Sequence, residues 1–149
     1  MKIRLNISED RYEEVKDKLV QAGFEVDDQG EFVLTEIGTQ NTFVAAKNEE
    51  GQKIRVSVEK IVYVESFGHD VEVHTTEGLF YAQERLYQLA ENLDRTRFIR
   101  VSNSVIISKS HVTKIRPTLS MKFVLTMTDG TQVDVTRSYY YAFKEFFGI

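Results

Sequence analysis

The sequence predicts a mainly β protein of the α+β class, with antiparallel sheets, peripheral helices and a small N-terminal β-α-β unit. Three observations predict this fold. Short segments in which apolar and polar residues alternate recur along most of the chain, which is the period of half-buried strands. Turns rich in Gly, Asn and Asp separate many of these segments, and short turns join antiparallel neighbours. Only three segments have the spacing of an amphipathic helix.

Residues 1–42 predict the β-α-β unit. A strand at residues 2–7 leads to Ser8, the expected N-cap of a helix that ends at Gly23. The apolar stripe of this helix is Tyr12, Val15, Leu19 and Ala22. Strands are expected at residues 24–26 and 32–37, joined by an acidic turn. The unit is too small to bury much surface, so we expect it to pack on the main domain or on another copy of itself.

The main domain is expected to span residues 43–149, with its boundary at residues 38–42. Its predicted strands are residues 43–47, 53–58, 61–66, 71–75, 79–81, 98–101, 105–107, 112–115, 122–128 and 132–135. A helix is predicted at residues 83–93, with the stripe Leu86, Leu89, Ala90 and Leu93. A last helix is expected to begin at Ser138, to share a face among Tyr139, Ala142, Phe143 and Phe146, and to end at Gly148.

Composition limits the class of protein. Of the 149 residues, 42% are hydrophobic and 28% are charged, as in an ordinary globular protein. No cysteine is present, which excludes disulfides, thiolate metal sites and a cysteine nucleophile. The chain has no apolar run near the roughly 18 residues that a membrane span needs, and its N-terminus lacks a signal-peptide core. We therefore expect a cytoplasmic protein.

Residues 95–122, called the basic stretch below, hold the strongest charge asymmetry. They include seven Lys or Arg and no Asp or Glu, in a chain with 23 acidic and 19 basic residues. A phosphate backbone would suit such a surface, although a solvated face with its acidic partners elsewhere in the fold is the alternative. Residues 1–42 carry a net charge of −5, so a nucleic-acid surface would belong to the main domain.

The sequence offers no set of residues for catalysis. Gly-rich phosphate loops, His-Glu-x-x-His and Gly-x-Ser-x-Gly are all absent. The three histidines lie far apart in the sequence, which argues against a metal site. Glu65 and Glu72 lie on facing predicted strands, where two carboxylates are more often surface residues than an acid/base pair. We expect no enzyme, no cofactor, no metal and no small-molecule substrate.

Three motifs occur in order in the main domain. They read Ile-Val-Tyr-Val-Glu-Ser at residues 61–66, Phe-Ile-Arg-Val-Ser-Asn-Ser-Val-Ile-Ile-Ser at residues 98–108 and Val-Asp-Val-Thr-Arg-Ser-Tyr at residues 133–139. This order resembles the LytTR family of bacterial DNA-binding domains, whose pattern is I-x-Y-I-E-S, F-x-R-x-H-x-S-y-i-v-N and V-S-R-x-Y. The resemblance covers about residues 43–149. It implies a domain of antiparallel sheets that meets DNA through loops rather than through a recognition helix.

The resemblance also implies which residues contact bases. The family uses the loop after its E-S strand, the segment around H-x-S and the Arg of V-S-R. The matching positions here are residues 66–70, with His69 as the expected reader, then Ser102 and Asn103, and then Arg137. Ser102 replaces the usual His and Asn103 replaces a frequent Arg or Lys, a departure that bears on the target sequence rather than on the class.

Each of these residues also has a structural interpretation. Arg137 either pairs with guanine or forms a salt bridge or phosphate clamp. Asn103 bonds adenine or holds a turn, and Arg100 contacts phosphate or pins the sheet. The aromatic stripe of the last helix is expected in the core. The expected phosphate contacts are Arg100, Lys109, Lys114, Arg116 and Lys122.

Two functional hypotheses follow. In the first, the protein is a sequence-specific regulator of transcription that binds double-stranded DNA through three loops, as a homodimer on repeated half-sites. Residues 1–42 are too few for the phosphoreceiver domain that many family members carry, so they would dimerise, regulate, or contact a protein or membrane partner. In the second, suggested by Ser102 and Asn103, the chain is a protein-interaction module whose DNA recognition is weakened or lost.

Overall fold

Residues 1–36 and 42–149 are described by the computed structural model. They divide between two units, Met1–Gln40 and Asn41–Ile149. The expected boundary at residues 38–42 lies, apart from Thr42, outside the described residues, and so does Ile37 at the end of a predicted strand. Within the described ranges, no helix has both the length and the hydrophobicity needed to cross a membrane.

The N-terminal unit is a parallel β-α-β arrangement. Its elements are β1 (Lys2–Asn6), α1 (Glu9–Gln21), β2 (Glu25–Val26) and β3 (Phe32–Thr35). Both β2 and β3 pair in parallel with β1, on opposite sides of it, so the acidic turn does not form a hairpin. Gly30 makes this crossing feasible, since a Cβ there would lie 2.7 Å from the backbone nitrogen of Arg4.

The two ends of α1 differ in how well the sequence predicted them. Ser8 makes no side-chain capping bond, contrary to the prediction. Its backbone N–H instead donates to Oε2 of Glu36 at 3.0 Å, and this bond is the main reason that the pKa of Glu36 lies below its ordinary value. Gly23 follows the helix with φ +93° and donates its N–H to the Val20 carbonyl at 3.0 Å, so α1 ends where predicted.

The main domain contains two antiparallel sheets, which confirms the predicted mainly β fold. The seven-stranded sheet has the order β5-β4-β8-β7-β6-β10-β9 and the three-stranded sheet the order β11-β12-β13. The strands are β4 (Phe43–Lys47), β5 (Lys53–Ser57), β6 (Ile61–Phe67), β7 (Asp70–Thr75), β8 (Gly78–Ala82), β9 (Phe98–Arg100), β10 (Val105–Ser108), β11 (Val112–Pro117), β12 (Phe123–Met127) and β13 (Gln132–Val135). The helices are α2 (Leu86–Asn92) and α3 (Tyr140–Phe147), with 3-10 turns at Val58–Lys60, Lys109–His111 and Arg137–Tyr139.

Strand β6 is buried on both faces, because a separate core cluster packs on each side of it. Ile61 and Val64 belong to the cluster that includes Leu89 of α2. Val62 and Tyr63 belong to the cluster formed with the three-stranded sheet and α3. The sequence around residues 61–64 therefore reads as an unbroken apolar run instead of an alternating one.

Both helices of the main domain begin later than predicted. Helix α2 begins at Leu86, since the N–H of Gln83 donates to the Ala45 carbonyl at 3.3 Å and so continues the contact between β8 and β4. Helix α3 begins at Tyr140, and Ser138 lies inside the preceding 3-10 turn instead of capping the helix.

The face that α3 buries also differs from the predicted one. Phe143 is fully buried, while Tyr140 and Phe147 pack against the same cluster. Ala142, predicted on this face, is exposed. The shift follows from the 3-10 turn, whose tighter winding changes the phase between Tyr139 and the helix. Gly148 ends α3 with φ +68°, as predicted.

Candidate DNA interface

Two of the three predicted contact loops meet at one end of the seven-stranded sheet. On the paired strands β6 and β10, Glu65 lies opposite Val105. The β6–β7 turn and the β9–β10 loop therefore leave the sheet at the same end. A hydrogen bond joins them, in which the N–H of Ser66 donates to the Ser104 carbonyl at 2.8 Å.

The third segment, residues 136–139, is bonded to the same β9–β10 loop. The N–H of Thr136 donates to the Val101 carbonyl at 3.0 Å. The hydroxyl of Tyr139 donates to Oδ1 of Asn103, also at 3.0 Å. Segments that are 30 or more residues apart in sequence are thus held together, and Arg137 lies between the two anchoring residues.

His69 lies at the tip of the β6–β7 turn and is exposed. Gly68 before it adopts φ +58°, a conformation that glycine permits and that closes this tight turn. The neighbouring Phe67 side chain is 53% exposed, which is unusual for a large apolar ring. The turn therefore presents an imidazole and an aromatic ring to solvent at the end where the loops meet.

The β9–β10 loop is organised by Arg100. Its guanidinium Nη2 donates to the backbone carbonyl of Asn103 at 2.6 Å. Its Nε is buried and, within the described residues, has no hydrogen-bond partner. The side chain of Arg100 therefore supports the loop from inside, which favours the interpretation in which this residue pins the sheet. The predicted phosphate contact of Arg100 stays a prediction.

Arg137 is exposed in its 3-10 turn, and no partner for its guanidinium occurs among residues 1–36 and 42–149. Strand β13 places it near two further cations. Val135 lies opposite Phe123, which follows Lys122, and Phe123 lies opposite Pro117, which follows Arg116. Arg116 and Lys122 are exposed as well, so three cations lie at this end of the three-stranded sheet.

The remaining charges of the basic stretch are spread along the domain. Lys114 is exposed in β11, next to Ile115, which packs on the core. Lys109 follows β10 at the other end, four residues or about 13 Å beyond Val105. Its Nζ donates to the Phe146 carbonyl at 3.0 Å and lies 4.9 Å from the Phe146 ring centre.

Acidic and carbonyl partners of the basic stretch are found elsewhere in the sequence. Arg97 pairs with Glu59 at 3.0 Å, and His111 lies 3.1 Å from the Glu59 carbonyl through Nε2 and 2.8 Å from Thr128 Oγ1 through Nδ1. The interpretation of a solvated face with distant partners is therefore correct for Arg97. His111 is likewise bonded at the end away from the three loops.

Glu65 and Glu72 lie opposite each other on β6 and β7. The Glu72 carboxylate lies 3.1 Å from Nε2 of His74, whose ring stacks on Tyr63 at 4.2 Å between centres. Burial raises the pKa of Glu65, His74 opposes the shift and Glu72 adds to it. Glu65 also lines a cleft of about 340 Å³ that includes Ser102 of the β9–β10 loop.

We expect replacement of Glu65 by glutamine to change how stability depends on pH. The folded-state pKa of Glu65 is raised, so the folded protein holds this proton to higher pH than the unfolded chain does. Stability from this group is lost as pH rises from about 4, the ordinary carboxyl value, toward neutral. Denaturant titrations measure the free energy of unfolding at pH 4 and pH 7, and its change from pH 4 to pH 7 should be more favourable for Glu65→Gln than for the wild type. Glu91→Gln, an exposed change in α2, is the control, and an equal change in the wild type and in Glu65→Gln would contradict the expectation.

The sequence predicted a core position for Tyr139 but not its bond to Asn103. Its ring does pack partly against the core cluster, so that interpretation is correct for the ring alone. One feature of the sequence could have indicated a role in the site, namely that this tyrosine ends the third motif, two residues after Arg137.

The loops of the antiparallel sheets bring exposed cationic and polar side chains to one end of the domain. A surface of this kind suits a polyanionic partner. The chain belongs to the LytTr DNA-binding domain family, whose model matches residues 51–148. Residues 51–148 are therefore a LytTr DNA-binding domain.

Similar proteins share this domain. The sensory transduction protein LytT of Bacillus anthracis is 33% identical over 86 residues, which are 58% of this chain and 35% of LytT. The transcriptional regulatory protein LytR of Staphylococcus aureus is 29% identical over 77 residues, 52% of this chain and 31% of LytR. The chain thus spans about a third of each relative's length. A solved LytTr DNA-binding domain of a Bacillus cereus response regulator is 28% identical, with a TM-score of 0.69 over 73% of this chain and 99% of that domain.

Proposed function

We propose that this protein regulates transcription by binding a specific sequence of double-stranded DNA and reading it in the major groove with loop residues. The observation that carries the proposal is that hydrogen bonds join the three loops on which His69, Asn103 and Arg137 lie. Loops held by main-chain bonds keep their side chains in a fixed arrangement, which favours recognition of one base order over others. The names of LytT and LytR, a sensory transduction and a transcriptional regulatory protein, agree with a regulatory role.

In this proposal the base readers are His69, Ser102, Asn103 and Arg137. The exposed guanidinium of Arg137 suits a bidentate bond to guanine O6 and N7, the commonest specific contact in the major groove. Ser102 is partly buried, and its hydroxyl accepts a bond from the Ser104 N–H at 3.3 Å. Its share of the reading is therefore smaller than that of Asn103 beside it, which is exposed.

The proposed phosphate contacts are Arg116 and Lys122, with Lys114 further along β11. All three side chains are exposed. Arg116 and Lys122 lie at the end of the three-stranded sheet where β13 ends and the chain continues to Arg137. Lys109 lies at the other end and has an internal carbonyl partner, so we assign it mainly to holding α3. This distribution supports a contact surface at one end of the domain instead of along the whole basic stretch.

Replacing Lys122 with alanine is expected to weaken binding to all duplexes by the same factor, whatever their sequence. Loss of one phosphate contact should reduce the slope of log K against log salt by about 0.9. Binding titrations between low and moderate salt measure the slope. Lys109→Ala is the matched control, because it removes the same charge from the opposite end. An unchanged slope for Lys122→Ala, or an equal reduction for both variants, would contradict this assignment.

The N-terminal unit is proposed to contact protein, either a second copy of the chain or a regulatory partner. Phe32, Val33 and Leu34 of the edge strand β3 are all more than 40% exposed. Three consecutive exposed apolar residues on an open strand edge are typical of a protein contact. A homodimer formed in this way would bind two half-sites.

A selection from randomised duplexes at moderate salt tests the proposal. A single enriched sequence motif that occurs twice at constant spacing is the expected result for a dimer that reads DNA. Absence of any preferred sequence would overturn specific recognition and favour the protein-interaction module. One motif without a repeat would overturn the dimer alone.

A further inference from the structure

We infer that Tyr139 determines specificity by holding the Asn103 amide in one orientation, in which its N–H donors are available to the base. The inference rests on the proposed reading of DNA by Asn103 and names the base chemistry at that position. Tyr139 itself is a positioning residue, because it acts through the amide and not on the base.

Asn103 is held at both its main chain and its side chain. Nη2 of Arg100 donates to its backbone carbonyl at 2.6 Å, and the Tyr139 hydroxyl donates to its Oδ1 at 3.0 Å. Arg100 comes from β9, whereas Tyr139 comes from the turn before α3. The loop and the amide are therefore fixed by two different elements.

Tyr139 can hold the amide because its own position is fixed. Its N–H donates to the Thr136 carbonyl at 2.9 Å, and its ring packs against the core cluster beneath the three-stranded sheet. Thr136 in turn bonds Val101, at the start of the loop that carries Asn103. A closed set of contacts thus joins the phenol, the turn and the loop.

The bond to Tyr139 determines what Asn103 offers to DNA. The Tyr139 hydroxyl engages one of the two lone pairs of Oδ1, so the amide cannot turn over without losing this bond, and the two N–H donors of Nδ2 are held at its other end for a base. In the major groove, guanine N7 and O6, adenine N7 and thymine O4 accept such a bond, whereas the exocyclic amine of cytosine cannot. The bidentate pairing of asparagine with adenine also uses Oδ1, which already accepts the bond from Tyr139. The fixed amide should therefore discriminate against cytosine and prefer adenine less strongly than a free amide does.

Tyr139→Phe tests the inference, since it removes the hydroxyl and keeps the ring in the core. We expect affinity for the selected duplex to fall roughly 2- to 12-fold, the cost of ordering one free side chain on binding. We also expect the base pair read by Asn103 to become permissive, with adenine favoured and cytosine admitted. Tyr141→Phe, a change of the same kind on a side chain that is 69% exposed, should alter neither property.

The measurements are duplex selection and binding titration on the full chain, with thermal melting to check the fold of each variant. Asn103→Ala identifies the base pair that Asn103 reads. If Asn103→Ala relaxes one base pair and Tyr139→Phe leaves that pair and the affinity unchanged, the inference is overturned. It is also overturned if Tyr139→Phe relaxes a different pair. Failure of the wild type to select any duplex overturns the proposed function instead, so the two failures are distinguishable.

Asn103→Asp provides a second test that does not depend on the tyrosine variant. Aspartate still accepts the bond from Tyr139 but has only acceptors left for the base. The preference at the same base pair should turn toward cytosine, whose amine donates. A variant that keeps the wild-type preference would show that the amide N–H is not the reading group and would overturn the inference.

Discussion

Replacing Arg137 with alanine is expected to weaken binding to the selected duplex by roughly 1–3 kcal/mol, about 5- to 150-fold, and to relax recognition at one base pair. The reason is geometric. The guanidinium is exposed and without a partner in the described part of the chain, while its backbone is fixed between Thr136 and Tyr139. A fork held in this way can bond two acceptors of guanine at once.

Binding titrations with the selected duplex and with duplexes altered at single base pairs measure the effect of Arg137→Ala. Arg137→Lys is the informative companion, because lysine keeps the charge but lacks the planar fork. It should restore affinity for phosphate and leave specificity relaxed. Arg95→Ala removes the same charge before β9, at the end away from the loops, and serves as control. An equal loss for Arg95→Ala and Arg137→Ala on every duplex would show that charge alone matters.

Replacing Phe143 with alanine is expected to lower the free energy of unfolding by roughly 3–5 kcal/mol, the usual cost of deleting a buried ring. Phe143 has no exposed surface, and its ring centre lies 5.1 Å from that of Phe123 and 4.6 Å from that of Phe147. Helix α3 has only eight residues, so it depends on this burial for its stability. Loss of the helix would also release the turn that carries Arg137.

Chemical denaturation followed by circular dichroism measures the effect of Phe143→Ala, because the chain has no tryptophan for fluorescence. Tyr141→Ala is the control, since it lies in the same helix but is largely exposed. Its effect should stay within about 0.5 kcal/mol, as is usual for surface changes. A loss below about 1 kcal/mol for Phe143→Ala would mean that the site collapses around the deletion and that α3 is held mainly by other contacts.

The strands were the most predictable part of this fold. The alternation in residues 53–58 and 122–128 depends on near neighbours in sequence, and strands form there at Lys53–Ser57 and Phe123–Met127, within one residue of the predicted ends. Helix starts were less predictable, since they depend on distant partners. Gln83 bonds Ala45 and so delays α2, while Ser8 bonds Glu36 instead of capping α1.

The candidate site was predictable as a set of loops but not as an arrangement. Motif order pointed to the loops that carry His69, Asn103 and Arg137, and the structure joins these loops by hydrogen bonds. The base contacts themselves stay predictions. The bond between Tyr139 and Asn103 could not be predicted, because it links side chains 36 residues apart and depends on the phase of a 3-10 turn.

The sequence by itself determined the mainly β class, the order of most elements and the family to which this chain belongs, because periodicity and motif order are properties of the chain alone. Only the tertiary structure decided at which end of the sheets each cation of the basic stretch lies. Strand register places Arg116 and Lys122 at the end of the three-stranded sheet from which the chain leads to Arg137, whereas Lys109 and Arg97 lie at the other end of the seven-stranded sheet and have partners within the chain. Charge counts along a sequence carry no register, and for that reason the positions of these cations were not evident until the strands were paired.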